Sequence, residues 1–481
     1  FHFFGTIEMF IAKLIISHHL GTFFEPQGIV LVGARSSAGF GYDIPLIMKE
    51  RGWGDRLYLV NPKGGELHGK TVYEKVADVP DPADLAIVIV PAVHVHQALT
   101  DIGERGIRHV IIETAGFGEA GDKGIQLQEA ARQVMVRYQL RIIGPNCIGL
   151  VNNTNGFCSA AILPEAFPPG NISIIAQSGV FGNILLDKFC LLNLKVSKAI
   201  TLGNRMDVNE CDMLDLLHQD PDTAIIVLYL EGAADGPRLK ETLARVTADK
   251  PVLVLKSGRT EQGKNATASH TGSLSGVDSS YNGMFNQTGA IRATSLAELI
   301  AMTSVFSTQP LPKGNHLGIV TGSGSMGALA TDEGVDCGLT VPFPTEETVD
   351  KVRADAPDWM NVKNPLDVGP SGLFRPAIEA MVQDSGMDML LAIITIPHAV
   401  YRKIITSQEL VRMLYGDLKE IRKLAPEKPF IACVVGHDEI KKDIETLAGD
   451  QIPVFDSPEI AVKALSRLWQ YQKARNSDVD G

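Results

Sequence analysis

The chain has 481 residues, 45% hydrophobic and 21% charged, with a formal net charge of −12. At roughly 100–200 residues per domain, that is material for two to four cores. The acidic balance argues against nucleic acid or an anionic membrane surface as partner, but a small phosphorylated ligand needs only a helix end and a few cations.

The first residues, FHFFGTIEMFIAKLIISHHLG, are apolar but broken by Glu8 and Lys13. They lack a basic leader and a small-residue cleavage site, and are too interrupted to span a bilayer, so they predict an amphipathic or packing helix in an N-terminal extension, 1–22. GIVLVG (28–33) reads as a buried strand running into the small-residue turn Ala34-Arg35-Ser36-Ser37-Ala38-Gly39. The helix IPLIMKERG, the strand LYLVN and the turn Asn61-Pro62-Lys63 complete a βαβ unit with a phosphate-type loop after its first strand. The glycine spacing is not GxGxxG, and the second strand ends in Asn-Pro-Lys where a dinucleotide fold places an acidic residue for the ribose. Lys63 suggests a phosphate-bearing nucleotide other than NAD, or else is a turn lysine. LAIVIV ending at Pro91, HVIIET and LRIIG continue the strand–helix alternation to about residue 150, where GPNCIGL follows. This is the doubly wound parallel pattern, with its sites at the carboxyl ends of the strands.

A second α/β unit begins at NISIIA and turns through Gln177-Ser178-Gly179 into a helix, a turn that presents free N–H groups to an anion. TAIIVLYL ends at Glu231, placed either to orient an imidazole or to act as a cap or surface carboxylate. PVLVLKSG is a further strand, followed by a polar segment ending in Ser269-His270-Thr271-Gly272-Ser273 and then the helix DSSYNGMFNQTGA. A histidine at the mouth of a helix suits a phosphorylated nucleophile, the alternative being a loop histidine near a cap. From about Gly314 the second unit is echoed: ISIIAQSGVFG by LGIVTGSGSMG, AIIVLYLEGA by LLAIITIPHA, DKPVLVLKSG by EKPFIACVVG. Pro397 stands where Glu231 stood and no SHTG follows, so the echo keeps a scaffold without the proposed chemistry. The six cysteines show neither CxxC nor Cys/His ligand spacing, so free thiols in a reducing, cytoplasmic setting are expected, and no metal site.

Taken in order, VGARSSAGFGY, VNPKGGE, VIVPA, ETAGFGE, GPNCIGL, AQSGVFG, LGNRMDVNECD, YLEG, KSGRT–ASHTGSLSG and NPLDV resemble the nucleoside-diphosphate-forming acyl-CoA synthetases. More narrowly, they are similar to the α subunit, or α-type half, of ADP-forming acetate–CoA ligases, relatives of succinyl-CoA synthetase. The resemblance implies an α/β protein: a Rossmann-like CoA-binding domain (23–150), a flavodoxin-like CoA-ligase domain carrying a phosphohistidine (151–310) and a second, degenerate one (311–481). It implies that Gly33, Ser36, Ser37, Lys63, Val90, Pro91, Thr114 and Asn146 lie near CoA. By the same token His270 is the phosphorylated residue and Glu231 the carboxylate that steadies it. Gln177, Ser178, Gly179, Thr271 and Gly272 would hold the phosphoryl group, Ser178-Gly179 and Thr271-Gly272 as two helix N-termini. The implied reaction interconverts acyl-CoA, ADP and phosphate with a carboxylic acid, CoA and ATP. ATP/ADP and Mg²⁺ would be bound by a separate ATP-grasp β subunit in an α₂β₂ assembly, since no such domain is seen in the chain.

Two other classes compete. A CoA- or acyl-CoA-binding regulatory or scaffold protein needs neither His270 nor Glu231, and an NAD-dependent dehydrogenase is opposed by the glycine spacing and the missing acidic residue.

Overall fold

The computed structural model describes residues 20–37, 39, 41–160, 168–271, 276–404 and 408–479, without the side chains of 268–271, 404 and 477–479. The helix expected over 1–22 therefore falls almost wholly outside the described residues. The chain divides into two compact units, Phe1–Arg292 and Ala293–Gly481. The first sheet lies in the first unit, as does the second up to the end of its edge strand at Ala293.

In the first unit, β1 (Ile29–Val32), β2 (Leu57–Val60), β3 (Gly65–Leu67), β4 (Lys70–Tyr73), β5 (Leu85–Val88), β6 (His109–Ile112) and β7 (Arg141–Ile143) form one sheet in the order β3-β4-β2-β1-β5-β6-β7. Apart from the antiparallel edge strand β3, its pairings are parallel. Counting only the parallel strands, the order is that of a Rossmann sheet, 3-2-1-4-5-6. The strands are short runs of β-branched and aliphatic residues because both faces are covered. Ile29, Leu31, Leu85 and Ile87 enter one core cluster, while Val30, Val32, Ala86 and Val88 enter the other. Each such Val, Leu or Ile side chain, removed from water, contributes about 1.5–3 kcal/mol before entropy is counted. The helices α1 (Ile44–Glu50), α2 (Ala92–Arg105) and α3 (Asp122–Tyr138) connect the strands.

The second sheet contains β8 (Leu150–Asn152), β9 (Phe157–Cys158), β10 (Ile172–Ala176), β11 (Val196–Thr201), β12 (Ile225–Leu230), β13 (Val252–Lys256) and β14 (Ile291–Ala293), in the order β14-β13-β12-β10-β11-β8-β9. Its helices are α4 (Gly179–Leu191), α5 (Glu210–Gln219), α6 (Gly236–Thr247), α7 (Glu261–Thr271) and α8 (Asp278–Thr288). One core cluster runs from Ile29 and Leu57 through Phe157 to Ile175, Ile200 and Leu228, so the two layers share a hydrophobic interior.

The second unit opens with α9 (Leu296–Thr308) and builds its sheet from β15 (Leu317–Thr321), β16 (Leu366–Asp367), β17 (Met389–Thr395), β18 (Phe430–Val435) and β19 (Val454–Phe455), all parallel, in the order β16-β15-β17-β18-β19. That is the flavodoxin order 2-1-3-4-5, and β11-β10-β12-β13-β14 of the second sheet follows it too. The repeat read in the sequence is thus a repeat of topology. The helices of this unit are α10 (Gly324–Asp336), α11 (Glu346–Arg353), α12 (Phe374–Gln383), α13 (His398–Ile404), α14 (Gln408–Tyr415), α15 (Leu418–Arg422), α16 (Asp438–Ala448) and α17 (Pro458–Val479). Among the described residues no helix is long and apolar enough to cross a membrane, and all six cysteines are free thiols.

Candidate functional site

The connections after β1 and β5 leave the first sheet where its strand order reverses, the place where folds of this class bind their ligands. Gly33 leaves β1 with φ +101, and a Cβ on it would stand 2.9 Å from Val90 Cγ1. A side chain would therefore be strained by backbone and neighbour alike. Its N–H donates to Val60 O at 2.9 Å. Asn61 Nδ2 donates to Ala34 O at 2.9 Å and Asn61 Oδ1 accepts from Lys63 N at 3.0 Å, which ties the turn after β2 to the turn after β1. Ser36, Ser37 and Lys63 are exposed on that edge.

A cavity of about 520 Å³ lies beside it, lined by Val90, Pro91, Thr114 and Asn146 from the first layer and by Gln177, Ser178 and Gly179 from the second. Seven of the residues singled out in the sequence thus meet around one space. Gly33, Ser36, Ser37, Lys63 and Glu231 are not among its lining residues. Thr114 Oγ1 donates to Val90 O at 2.7 Å, and Asn146 N donates to Thr114 O at 2.9 Å, so three loops of the first sheet are bonded in series. Ser178 caps α4, its hydroxyl accepting from Phe181 N, and the free N–H groups of this first turn face the same neighbourhood.

Gln177 is the hinge of the second layer. Its Oε1 accepts from Glu231 N at 2.6 Å and Gly232 N at 3.1 Å, and its Nε2 donates to Gly232 O at 2.8 Å and Glu210 Oε2 at 3.2 Å. Arg205 closes the ring, donating to Glu210 Oε2 at 3.1 Å and to Gly232 O at 2.7 Å. Glu231, 4% exposed, is therefore fixed by its backbone at the end of β12. On the adjacent strand Lys256 is 2% exposed; its ammonium donates to Ser257 O and lies 4.8 Å from the Tyr281 ring centroid. Burial pushes its pKa down to about 8 against the opposing pull of Asp278. Tyr281 in turn accepts from Ala233 N at 2.8 Å, holding the turn after Glu231.

The LGNR turn joins the layers. Asn204 Nδ2 donates to Glu119 Oε2 at 2.5 Å and to Gln128 Oε1 at 3.1 Å, and Asn204 N donates to Pro145 O at 2.8 Å. Burial works against ionisation of Glu119, yet the hydrogen bonds from Asn204 and from the backbone N–H groups of Gly116 and Phe117 outweigh it and lower its pKa. Glu113, 2% exposed, also borders the cavity, and burial followed by the Asp43 carboxylate holds its pKa well above the usual range.

Sequence reading missed Arg35, Glu113, Asn204, Arg205, Glu210 and Lys256. NECD and LGNR were visible as motifs, but only tertiary closure puts Arg205 and Glu210 on Gln177. One expectation is corrected. Residues 261–271 form α7, so His270 and Thr271 stand at the carboxyl end of a helix and not at the mouth of one. The next described helix, α8, starts at Asp278. The helix-dipole argument for an anion at Thr271 therefore does not hold. Gly272 and the side chains of His270 and Thr271 lie outside the described residues.

Residues 27–153 match the family described as CoA binding domain, and residues 169–306 match the succinyl-CoA ligase like flavodoxin domain. The chain is 35% identical over 467 residues to the Pyrococcus furiosus protein named acetate–CoA ligase [ADP-forming] II subunit alpha, covering 96% of this chain and 100% of that one. It is 37% identical over 451 residues to the acetate–CoA ligase [ADP-forming] of Methanocaldococcus jannaschii, where it spans 62% of the relative's length. The solved dinucleotide-forming acetyl-coenzyme A synthetase 1 of Ca. Korarchaeum cryptofilum, in complex with phosphate and ADP, superposes with a TM-score of 0.86 at 29% identity, over 96% of this chain and 98% of that one.

Proposed function

Because the chain belongs to the family of ADP-forming acetate–CoA ligase α subunits and α-type halves, we propose that it is the acyl- and phosphoryl-transferring part of an ADP-forming acid–CoA ligase. The observation that carries the reading is the shared cavity. Loops of the CoA-binding layer (Val90, Pro91, Thr114, Asn146) and the helix-capping turn Gln177-Ser178-Gly179 line one space. A reaction that passes an acyl group from a thioester to phosphate needs a CoA-binding edge and an anion-binding edge together.

In the proposed sequence, phosphate attacks the thioester carbonyl of acyl-CoA, the C–S bond breaks, and CoA leaves as its thiol. His270 then takes the phosphoryl group from the acyl phosphate, releasing the carboxylic acid, and hands it to ADP to give ATP. Glu231 orients and steadies the imidazole. The first turn of α4 stabilises the phosphoryl charge. Gly33, Ser36, Ser37 and Lys63 complete the CoA edge. A small carboxylic acid is the product in this direction and the phosphoryl acceptor in the reverse one. ADP or ATP with Mg²⁺ would be held by an ATP-grasp β subunit in an α₂β₂ assembly, and the reducing cytoplasm is the setting that free thiols suit.

The test is acid-dependent CoA thioester formation with ATP, Mg²⁺ and a family β subunit, screened over short, hydroxylated and aryl acids. Wild type is expected to turn over at least one of them, and His270→Ala to lose about a thousandfold or more while still binding CoA. CoA binding with no turnover of any acid would instead support a binding or scaffold protein.

A further inference from the structure

In the second unit, β17 and β18 pair in parallel, with Thr395 opposite Val435. Their connections therefore leave the sheet side by side, at the edge corresponding to the one that carries Glu231 and Lys256 in the second sheet. One connection brings His398, the first residue of α13, and the other brings His437, which caps α16, and Glu439 in its first turn. The two imidazole rings stack with centroids 3.8 Å apart and planes 15° apart. His398 Nε2 is 2.9 Å from Glu439 Oε2. One ligating atom from each of the three residues lies within 4.8 Å of the other two.

We propose that His398, His437 and Glu439 form a binding site for a divalent transition-metal ion of the zinc class. Two imidazoles and one carboxylate are a donor set that zinc and its neighbours favour over magnesium or calcium, which take oxygen ligands. His437 Nδ1 accepts from Glu439 N at 3.3 Å, so the lone pair of the neutral ring is at Nδ1, and the metal would take it in place of this long hydrogen bond. A metal ion would take the place of the hydrogen bond between His398 Nε2 and Glu439 Oε2, and both imidazoles would bind it in their neutral form. Arg402 Nη1 stands 3.9 Å from Glu439 Oε1, the second carboxylate oxygen, leaving Oε2 to the metal. The three side chains are half-buried to exposed, so the ion has an entry path and solvent can complete its coordination. Sequence spacing could not show this site, because His398 and the His437–Glu439 pair lie on separate strand connections.

The ion would clip α13 to α16 across the carboxyl edge of this sheet. The echoed copy then carries a site of its own where the second copy ends its strands in Glu231 and Lys256.

The experiment is Zn²⁺ titration of the chelator-treated full chain against a competing chromophoric chelator, above the ordinary imidazole titration range, with Co²⁺ as a spectroscopic probe. One equivalent is expected to bind, with affinity reduced tenfold or more in His398→Ala, His437→Ala and Glu439→Gln, and with the Co²⁺ spectrum lost in the double histidine variant. Circular dichroism of these surface variants is expected to match wild type. Absence of a stoichiometric site in wild type would overturn the proposal. So would unchanged affinity in the double variant, since the metal would then be bound elsewhere, for instance at a thiol such as the exposed Cys190.

Discussion

Gln177 shows how one side chain can set the position of a site it does not complete. It is 2% exposed, and both ends of its amide are bonded to the turn that follows β12. A buried polar group that loses its partner costs about 1–3 kcal/mol. Gln177→Leu strips the acceptor from two N–H groups and the donor from Gly232 O and Glu210, so a loss of about 2–4 kcal/mol is expected in urea unfolding. If its midpoint matched wild type, the ring from Arg205 through Glu210 to Glu231 would not be holding the turn. Sequence inspection marked Gln177 only as part of an anion-binding turn. Its actual partners, Glu210 and Gly232, come from elements well separated from it in sequence, and no local pattern announces them.

At the level of elements, the parallel strands were readable because burial on both faces demands unbroken β-branched and aliphatic runs such as IVLV, LAIV and IIVLYL. The elements missed are those lacking that pressure. The β3–β4 hairpin carries GEL and KTVY, partly exposed residues with little apolar content. Helix α7, EQGKNATASHT, has no apolar stripe to betray a helical period. The turn between β11 and α5 was seen as LGNRMD, but its role as the joint between layers depends on geometry. Gly203 has φ +58, and a Cβ there would lie 2.2 Å from Pro145 O. Gly203→Ala must move that carbonyl, and with it the Asn204 contacts to Glu119 and Gln128. The expected cost is about 2–4 kcal/mol in thermal or urea unfolding, with weaker CoA binding alongside. A fully stable Gly203→Ala with unchanged CoA affinity would mean that the two layers are joined elsewhere.

For the whole molecule, topology separates what is repeated from what is not. The second and third sheets share the order 2-1-3-4-5, yet the strand ends carry different residues: Glu231 and Lys256 in one copy, Pro397-His398 and Gly436-His437 in the other. The same strand order thus carries different residues at its carboxyl ends in the two copies. The proposed function places the phosphoryl carrier in the second copy, at His270, and leaves nucleotide chemistry to a partner. The most direct test of that claim is ³²P labelling of the purified chain by [γ-³²P]ATP, Mg²⁺ and an ATP-grasp β subunit, in wild type, His270→Ala and Glu231→Gln. The account predicts a label that is acid-labile and base-stable, absent in His270→Ala, reduced in Glu231→Gln, and discharged by ADP. A label that persists in His270→Ala, or no label with a β subunit proven active on another α chain, would contradict it.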